Sequence, residues 1–269
     1  RVAGALNDAD DDLRAALAKA EAAADQPLVA ATSGALGNLE LLRQHPEAAE
    51  KLLRRALDLA RRLGDRRLVA SSSNDLGNLY LAAGRLAEAA RAYADAEQNA
   101  AAAGDAVLIA TAEINAARLA VRNHQPAPAT ASLTRAIARL EAAPASYSGG
   151  LALVTAGNLL LQRGDPPSPA DRALAARAFH AAQSAAGTLR NTRLASLAQG
   201  GLGRVDALGG RIDEATRRTG QALFSAQQSA ADDLSFRWDW QQARLAAQEG
   251  HYDAALASYR RAVAGLQTV

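Results

Sequence analysis

A spacing of forty residues, repeated along the chain, is the feature that most limits what this sequence can fold into. In its clearest copy Gly77 is followed by Ala89, Tyr93 and Ala96. The same offsets carry a small residue, a second small residue, usually a large side chain and an alanine, except that an insertion of six residues displaces the second half of the copy that starts at Gly157 and the copies after it. The copies begin at Gly37, Gly77, Ala117, Gly157, Gly203 and Ala243. A period held over six copies predicts a solenoid of repeated supersecondary units.

Each repeat is predicted to be a pair of helices. Glycines such as Gly84 interrupt the repeat midway, and Gly64-Asp65 separates one repeat from the next. Glycine fits the left-handed position after a helix, and aspartate caps the helix that follows. Small anchor residues let neighbouring helices approach closely. The chain is rich in alanine and shows no strand-like alternation, so the fold class is predicted to be all-α.

Residues Leu76-Gly77, Tyr80, Ala89 and Tyr93 resemble the tetratricopeptide repeat (TPR) pattern of Leu-Gly, Tyr, Ala and an aromatic residue. The period is forty residues here instead of about thirty-four, and the usual early Trp and late Pro are missing. Such repeats are similar to those of Leu-Gly-Asn-type adaptors and of bacterial arrays that precede caspase-like (CHAT) proteases. The resemblance implies a right-handed, TPR-like α–α superhelical solenoid.

We expect a single solenoid of about six and a half repeats, a fragment of a longer chain whose upstream signal peptide is left open. Pro144 and Gly149-Gly150 predict a looser joint, and the prolines of 165–171 predict a surface insertion. This insertion is either a tolerated loop or a ridge that contacts a partner. The predicted parts are a half repeat (1–24), repeats one and two (27–103), repeat three (105–142), repeat four with its insertion (150–187) and repeats five and six (189–266).

Composition argues against several classes of function. The formal net charge is +2, well below the concentrated positive charge typical of nucleic-acid binders. The chain has no cysteine, and no apolar run approaches the length of a membrane helix. None of its four histidines recurs with an acid or a nucleophile in the repeat frame. We therefore expect no catalytic, metal or cofactor site.

The segment Gly200-Gly201-Leu202-Gly203 superficially resembles a phosphate-binding loop. It lacks the preceding strand and the following Lys-Ser/Thr that such a loop requires. We interpret these glycines as positions of close helix packing.

The TPR resemblance implies that the first helix of each repeat lines a concave groove. In proteins of that family five positions per repeat contact a ligand. The first is the residue directly after the anchor. The other four lie seven and four residues before that residue and three and four residues after it. Among these thirty sites there are five arginines and no Asp or Glu. The residues that we predict to bind a peptide are Asn38, Asn74, Asn78, Arg118, Arg122, Asn158, Gln162, Arg204, Arg237, Trp240, Arg244 and Gln248.

This set predicts the chemistry of the ligand. Amides can donate to a peptide carbonyl and accept from its N–H, while arginines pair with carboxylates. Trp240 is a candidate aromatic anchor or a packing residue of the last repeat, and Trp238 is expected to be buried.

We thus predict a non-catalytic scaffold, in the cytoplasm, that binds an extended acidic peptide and neither nucleic acid nor a membrane. The peptide belongs to another protein or to a missing part of the same chain. One alternative is a sensor arm of a larger enzyme, such as a caspase-like protease. The other is a structural domain that assembles by stacking its ends.

Overall fold

The computed structural model describes residues 2–268, with side chains described for residues 6–267. This part of the chain forms thirteen α-helices and no named strand, which confirms the predicted all-α class. The chain divides into two compact units, Arg1–Ala136 and Ile137–Val269. We call them the N-terminal unit and the C-terminal unit.

The N-terminal unit consists of six helices and the start of a seventh. They are α1 (Val2–Ala22), α2 (Gln26–Leu42), α3 (Pro46–Leu63), α4 (Arg66–Ala82), α5 (Leu86–Ala102), α6 (Ala106–Arg122) and the beginning of α7 (Pro126–Ala142). Consecutive helices from α1 to α6 pack against each other, and α4 also contacts α2 and α6. Helices α2, α4 and α6 are the first helices of their repeats, and they form one face of this unit.

Aspartates begin each of these first helices. The side chain of Asp65 accepts hydrogen bonds from the backbone N–H groups of Arg67 (3.0 Å) and Leu68 (3.1 Å), and Asp105 caps α6 in the same way. Gly64 ends α3 with φ of +68°, a left-handed conformation that glycine adopts without steric cost. The glycine and the aspartates therefore end and begin helices where the sequence predicted.

The anchor residues hold the helix pairs together. Ala89 and Tyr93 are buried, and a Cβ atom added at Gly77 would overlap the Tyr93 ring. A Cβ atom added at Gly37 would likewise overlap the side chain of Leu53. Close packing of this kind leaves no room for a larger anchor, because protein interiors are packed to nearly crystalline density.

The C-terminal unit contains the rest of α7 and six further helices. They are α8 (Tyr147–Leu161), α9 (Pro169–Leu189), α10 (Thr192–Leu208), α11 (Ile212–Gln228), α12 (Asp232–Gln248) and α13 (Tyr252–Thr268). Consecutive helices from α8 to α13 pack against each other, and α10 also contacts α8 and α12. Helices α8, α10 and α12 are the first helices here.

Glycines within the helices of this unit leave room for large side chains of neighbouring helices. Added Cβ atoms would overlap Trp238 at Gly200 and Phe179 at Gly201. Trp238 is buried, as expected, and its Nε1 donates to Ser196 Oγ at 2.8 Å. The glycine-rich segment therefore serves helix packing.

The expected joint is right for Pro144, which lies in the non-helical stretch between α7 and α8, and wrong for Gly149 and Gly150, which lie inside α8 and are buried. A Cβ at Gly150 would overlap Leu194 of α10. This tertiary contact outweighs the low helix propensity of glycine, about 1 kcal/mol per residue.

The insertion 165–171 is held by several polar contacts. Arg163 and Asp171 form a largely buried ion pair at 2.9 Å, and Arg172 donates to the carbonyl of Pro167 at 2.8 Å. Ser168 Oγ accepts from the backbone N–H of Asp171 at 3.0 Å, so it caps α9 as predicted. The loop is thus fixed to the helices on either side of it.

Candidate functional site

A pocket of about 580 Å³ lies on the first-helix face of the C-terminal unit. The seven groove residues predicted for this unit all contribute to its wall: Asn158, Gln162, Arg204, Arg237, Trp240, Arg244 and Gln248. Helices α8, α10 and α12 supply them, because positions near the anchor of each first helix point to the same side of the unit. We call this cavity the arginine pocket.

Arg204 is the central charged group of the arginine pocket. It is half-buried, and its Nη1 donates to Asn158 Oδ1 at 3.0 Å. Burial and the nearby charge of Arg244 lower the pKa of Arg204. Neither arginine forms an ion pair within the described residues. The pocket therefore concentrates the positive charge of two arginines that form no ion pair in the described part of the chain.

Trp240 gives the same pocket an apolar side. The residue is 51% exposed, and its ring meets that of Tyr259 edge to face, with centroids 5.0 Å apart. On its other side Trp240 borders a smaller cavity of about 320 Å³ together with Val263 and Leu266 of α13. An exposed aromatic beside unpaired arginines is a common composition of binding hot spots.

The insertion forms part of the pocket wall, which the sequence analysis did not predict. Gly164, Asp165 and Pro167 line the pocket together with residues of α12. Asp165 brings a carboxylate to a face that was expected to be free of acids, because it lies outside the five positions counted in each repeat. The prolines of 165–171 and the six-residue shift of the repeat frame were the sequence signals for this element.

In the N-terminal unit two of the predicted amides accept hydrogen bonds from residues that were not predicted as site residues. Asn115 Nδ2 donates to Asn74 Oδ1 at 2.7 Å, and the hydroxyl of Tyr93 donates to Asn78 Oδ1 at 3.0 Å. Asn38, Asn74 and Asn78 are each only partly exposed. Asn78 thus has a structural contact, with a buried tyrosine, in addition to its predicted place in the groove.

Asp75 lies within this group of amides and was not predicted as a site residue. Burial raises its pKa to about 6, while hydrogen bonds from Asn38 and Asn74 act in the opposite direction. Burial also raises the pKa of Tyr93 to about 12, and Arg118 opposes that shift. Of the two predicted arginines in this unit, Arg118 is partly exposed and Arg122 is exposed.

A shallow groove of about 810 Å³ lies between α9, α10 and α11, away from the predicted residues. Gly187 and Gly220 line it, and the ring of Phe224 beside it is 60% exposed. Over residues 2–268 no cluster of His, Cys, Asp and Glu could hold a metal ion. The same stretch contains no helix of the length and apolarity needed to cross a membrane.

Comparison with known proteins supports the repeat assignment. Residues 29–102 match the family model described as tetratricopeptide repeat. This segment runs from α2 to the end of α5 and contains the Leu76–Tyr93 motif. No curated protein matches the sequence at a significant level.

Three solved structures illustrate the fold similarity. The apo form of RapI is 12% identical, with a TM-score of 0.60 over 97% of this chain and 92% of its own. A STAND-type signal-transduction ATPase with a tetratricopeptide repeat sensor, from Pyrococcus horikoshii, is 15% identical, with a TM-score of 0.61 over 90% of this chain and 38% of its own. Nro1, a nuclear import adaptor that regulates sterol synthesis, is 15% identical, with a TM-score of 0.55 over 100% of this chain and 95% of its own. The chain therefore has a TPR-like helical-repeat fold, and its residues 29–102 are similar to tetratricopeptide repeats.

Proposed function

We propose that this protein is a non-catalytic interaction scaffold whose arginine pocket binds an extended, acidic peptide segment. The observation that carries the proposal is the meeting of Arg204 and Arg244 in one pocket, where neither forms an ion pair within the described residues. The TPR-like fold supports a scaffold, since such solenoids present extended binding surfaces.

Charge provides the selectivity of the proposed site. A carboxylate placed between Arg204 and Arg244 would offset their repulsion and accept charge-assisted, bidentate hydrogen bonds. Because Arg204 is half-buried, such a pair is screened less by salt than a pair on an open surface. An acidic side chain is therefore the ligand group that this pocket fits best.

Amides and the tryptophan would hold the rest of the segment. Packed helices lie about 8–10 Å apart and an extended strand rises about 3.3 Å per residue, so each first helix can meet about every third peptide residue. Asn158, Gln162 and Gln248 can bind peptide N–H and C=O groups, and Trp240 can cover an apolar side chain. Asp165 at the rim would repel an acidic side chain placed next to it. The acidic residues of the bound segment are therefore expected in the part of the pocket away from the insertion.

The same binding mode is proposed for the N-terminal residues Asn38, Asn74, Asn78, Arg118 and Arg122, as separate contacts on that unit. The segment bound belongs to another protein or to another part of the full-length chain. We place this activity in the cytoplasm.

Capture of partners from a lysate of the source organism tests the proposal. The full chain is compared with an Arg204→Glu/Arg244→Glu variant and with a control, Arg62→Glu/Arg260→Glu. The control reverses two exposed arginines that have no ion pair in the described part of the chain. We expect a partner that binds wild type and control and loses at least about tenfold in recovery with the pocket variant. Equal recovery by all three would refute the arginine pocket as the binding site.

A second candidate is a sensor arm of a larger enzyme. The similar Pyrococcus horikoshii ATPase uses a tetratricopeptide repeat as its sensor, and this chain covers 38% of that protein. The full-length gene distinguishes the candidates, because a neighbouring catalytic domain would favour the sensor and its absence would favour the free scaffold.

A third candidate is self-association through α13. This helix leaves Leu256 and Val263 each 49% exposed and Leu266 59% exposed, an apolar surface of the kind found at interfaces. Sedimentation at rising concentration would detect a dimer that Leu256→Glu/Val263→Glu abolishes. A single monomeric species at all concentrations would exclude this candidate.

A further inference from the structure

A third arginine, Arg237, lines the arginine pocket beside Arg204 and Arg244. Arg237 and Arg244 lie on the same side of α12, because seven residues make almost two full turns, about 10 Å along the helix axis. Trp240 lies between them on α12, and Arg204 reaches the pocket from α10. Arg237, like the other two arginines, forms no ion pair within the described residues.

The carboxylates of the neighbouring helices are engaged elsewhere. On α10 and α12, Asp206, Asp233 and Asp239 each form ion pairs with arginines that lie outside the pocket. Helix α8 contains no acidic residue. Among the described residues that line the pocket, the charged ones are the three arginines and Asp165, which gives a net charge of +2.

A single carboxylate would leave this pocket positively charged. It carries one negative charge and two acceptor oxygens, whereas a phosphomonoester carries about −1.5 to −2 at pH 7 and three acceptor oxygens. Arg204 uses one of its N–H groups for Asn158, so most of its donors remain for a ligand. A phosphoryl group therefore matches both the net charge of the pocket and the number of its guanidinium groups.

We propose that the arginine pocket binds a phosphoserine or phosphothreonine side chain of the captured segment. This inference rests on the proposed function, because it names the acidic group that occupies the proposed acidic-segment site. A short phosphorylated side chain keeps the peptide backbone near the amides of Asn158, Gln162 and Gln248, which the longer phosphotyrosine would hold farther away. The ring of Trp240, which is 51% exposed, covers a neighbouring residue of the segment.

Binding of three peptide libraries to the full chain tests the inference. The libraries share degenerate flanks without Asp or Glu and differ in one fixed central residue, which is phosphoserine, aspartate or serine. Fluorescence anisotropy at about pH 7.5 measures the dissociation constant of each library. We expect the phosphoserine library to bind at least about tenfold more tightly than the aspartate library, and the aspartate library more tightly than the serine library.

A pH series on the wild-type chain gives a second readout that depends on no variant. The second pKa of a phosphomonoester is about 6, so at about pH 5 the group carries close to one negative charge, as aspartate does. The advantage of phosphoserine over aspartate should then fall to about threefold or less. The charged groups that face the ligand are Arg204, Arg237, Arg244 and Asp165. They face both libraries, so their own titration affects both affinities and largely cancels in the ratio.

Arg237→Gln separates the two kinds of acid. A carboxylate is matched by Arg204 and Arg244, while the second charge of the phosphoryl group needs a further cation. The variant should therefore weaken the phosphoserine library about tenfold and the aspartate library about threefold or less. Arg260→Gln makes the same change at an exposed position of α13 and should leave both affinities as in wild type.

The outcomes distinguish this inference from the proposed function. If phosphoserine binds no more tightly than aspartate and both bind better than serine, the acidic-segment site stands and the phosphoryl inference is wrong. If all three libraries bind alike, both are wrong. Inorganic phosphate, added as a competitor, should displace the phosphoserine library only at concentrations more than about tenfold above the dissociation constant of that library. Displacement at lower concentrations would indicate a site for free phosphate and would overturn the inference.

Discussion

The first-helix faces of the two units share one repeat frame and differ in the charge that they hold. In the N-terminal unit a carboxylate, Asp75, lies among asparagines. In the C-terminal unit two arginines, Arg204 and Arg244, share a pocket with amides and a tryptophan. The anchors fix how the helices pack, while the residues between the anchors are free to set the chemistry of each face.

Both faces hold a charged group where its surroundings disfavour the charge. Burial raises the pKa of Asp75, and burial together with Arg244 lowers the pKa of Arg204. A folded chain that keeps such groups gives up stability, a trade that is common at functional sites. The comparison can therefore be tested through stability without knowing either ligand.

The largest effect is expected for Asp75→Asn. The folded pKa of about 6 lies above the unfolded value of 3.8, so ionisation destabilises the fold by about 3 kcal/mol at neutral pH. The variant should be more stable by up to about this amount at pH 7. The gain should shrink as pH falls below about 6 and vanish at about pH 3, below the unfolded pKa of 3.8, where the carboxyl is protonated in both states.

Urea unfolding of wild type and variant at a series of pH values measures this difference. Asp58→Asn, at an exposed position of the same unit, should change stability by less than about 0.5 kcal/mol. An Asp75→Asn variant that is less stable than wild type at pH 7 would show that the carboxylate stabilises the unit. The two faces would then not share a charged group that destabilises the fold.

A smaller difference is expected between the asparagines at equivalent positions. Asn78→Ala leaves the hydroxyl of buried Tyr93 without its acceptor and should cost about 1–2 kcal/mol. Asn158→Ala removes one acceptor from Arg204, whose other N–H groups remain available, and should cost about half as much or less. Equal losses in chemical denaturation would mean that the two amides have the same role.

A smaller gain in stability than that of Asp75→Asn is expected for Arg204→Met. This change removes a half-buried charge that lies beside Arg244 and keeps most of the side-chain volume. We expect a gain of about 1 kcal/mol, measured by thermal unfolding. Arg260→Met, at an exposed site of α13, should stay within about 0.5 kcal/mol of wild type. A destabilised Arg204→Met variant would contradict the view that this charge is kept for binding.

The helix pairs were predictable because their signals are local. Asp65 and Gly64 fix boundaries through contacts a few residues away, and Gly77 with Tyr93 repeats at a constant offset. Gly150 was misread because its effect is not local. Its contact with Leu194 joins residues far apart in sequence, and no pattern within α8 reports it.

The candidate sites were predictable only in part. The repeat frame selected Arg204, Trp240 and their neighbours, which the structure brings together around one pocket. It missed Asp75, which is adjacent to a selected position, because whether a residue between two helices is buried or open depends on side-chain packing. It also missed Asp165, since the course of the insertion depends on the ion pair between Arg163 and Asp171.

The most direct test of the acidic-segment site is a selection from a random peptide library on two forms of the full chain. One is the wild-type protein and the other is Arg204→Gln/Arg244→Gln, which removes both charges and keeps the amide character of the face. We predict that peptides selected by the wild-type chain are enriched in Asp and Glu and that those selected by the variant are not. If both forms select peptides of the same composition, the arginine pocket does not read acidic side chains and the proposed function is wrong.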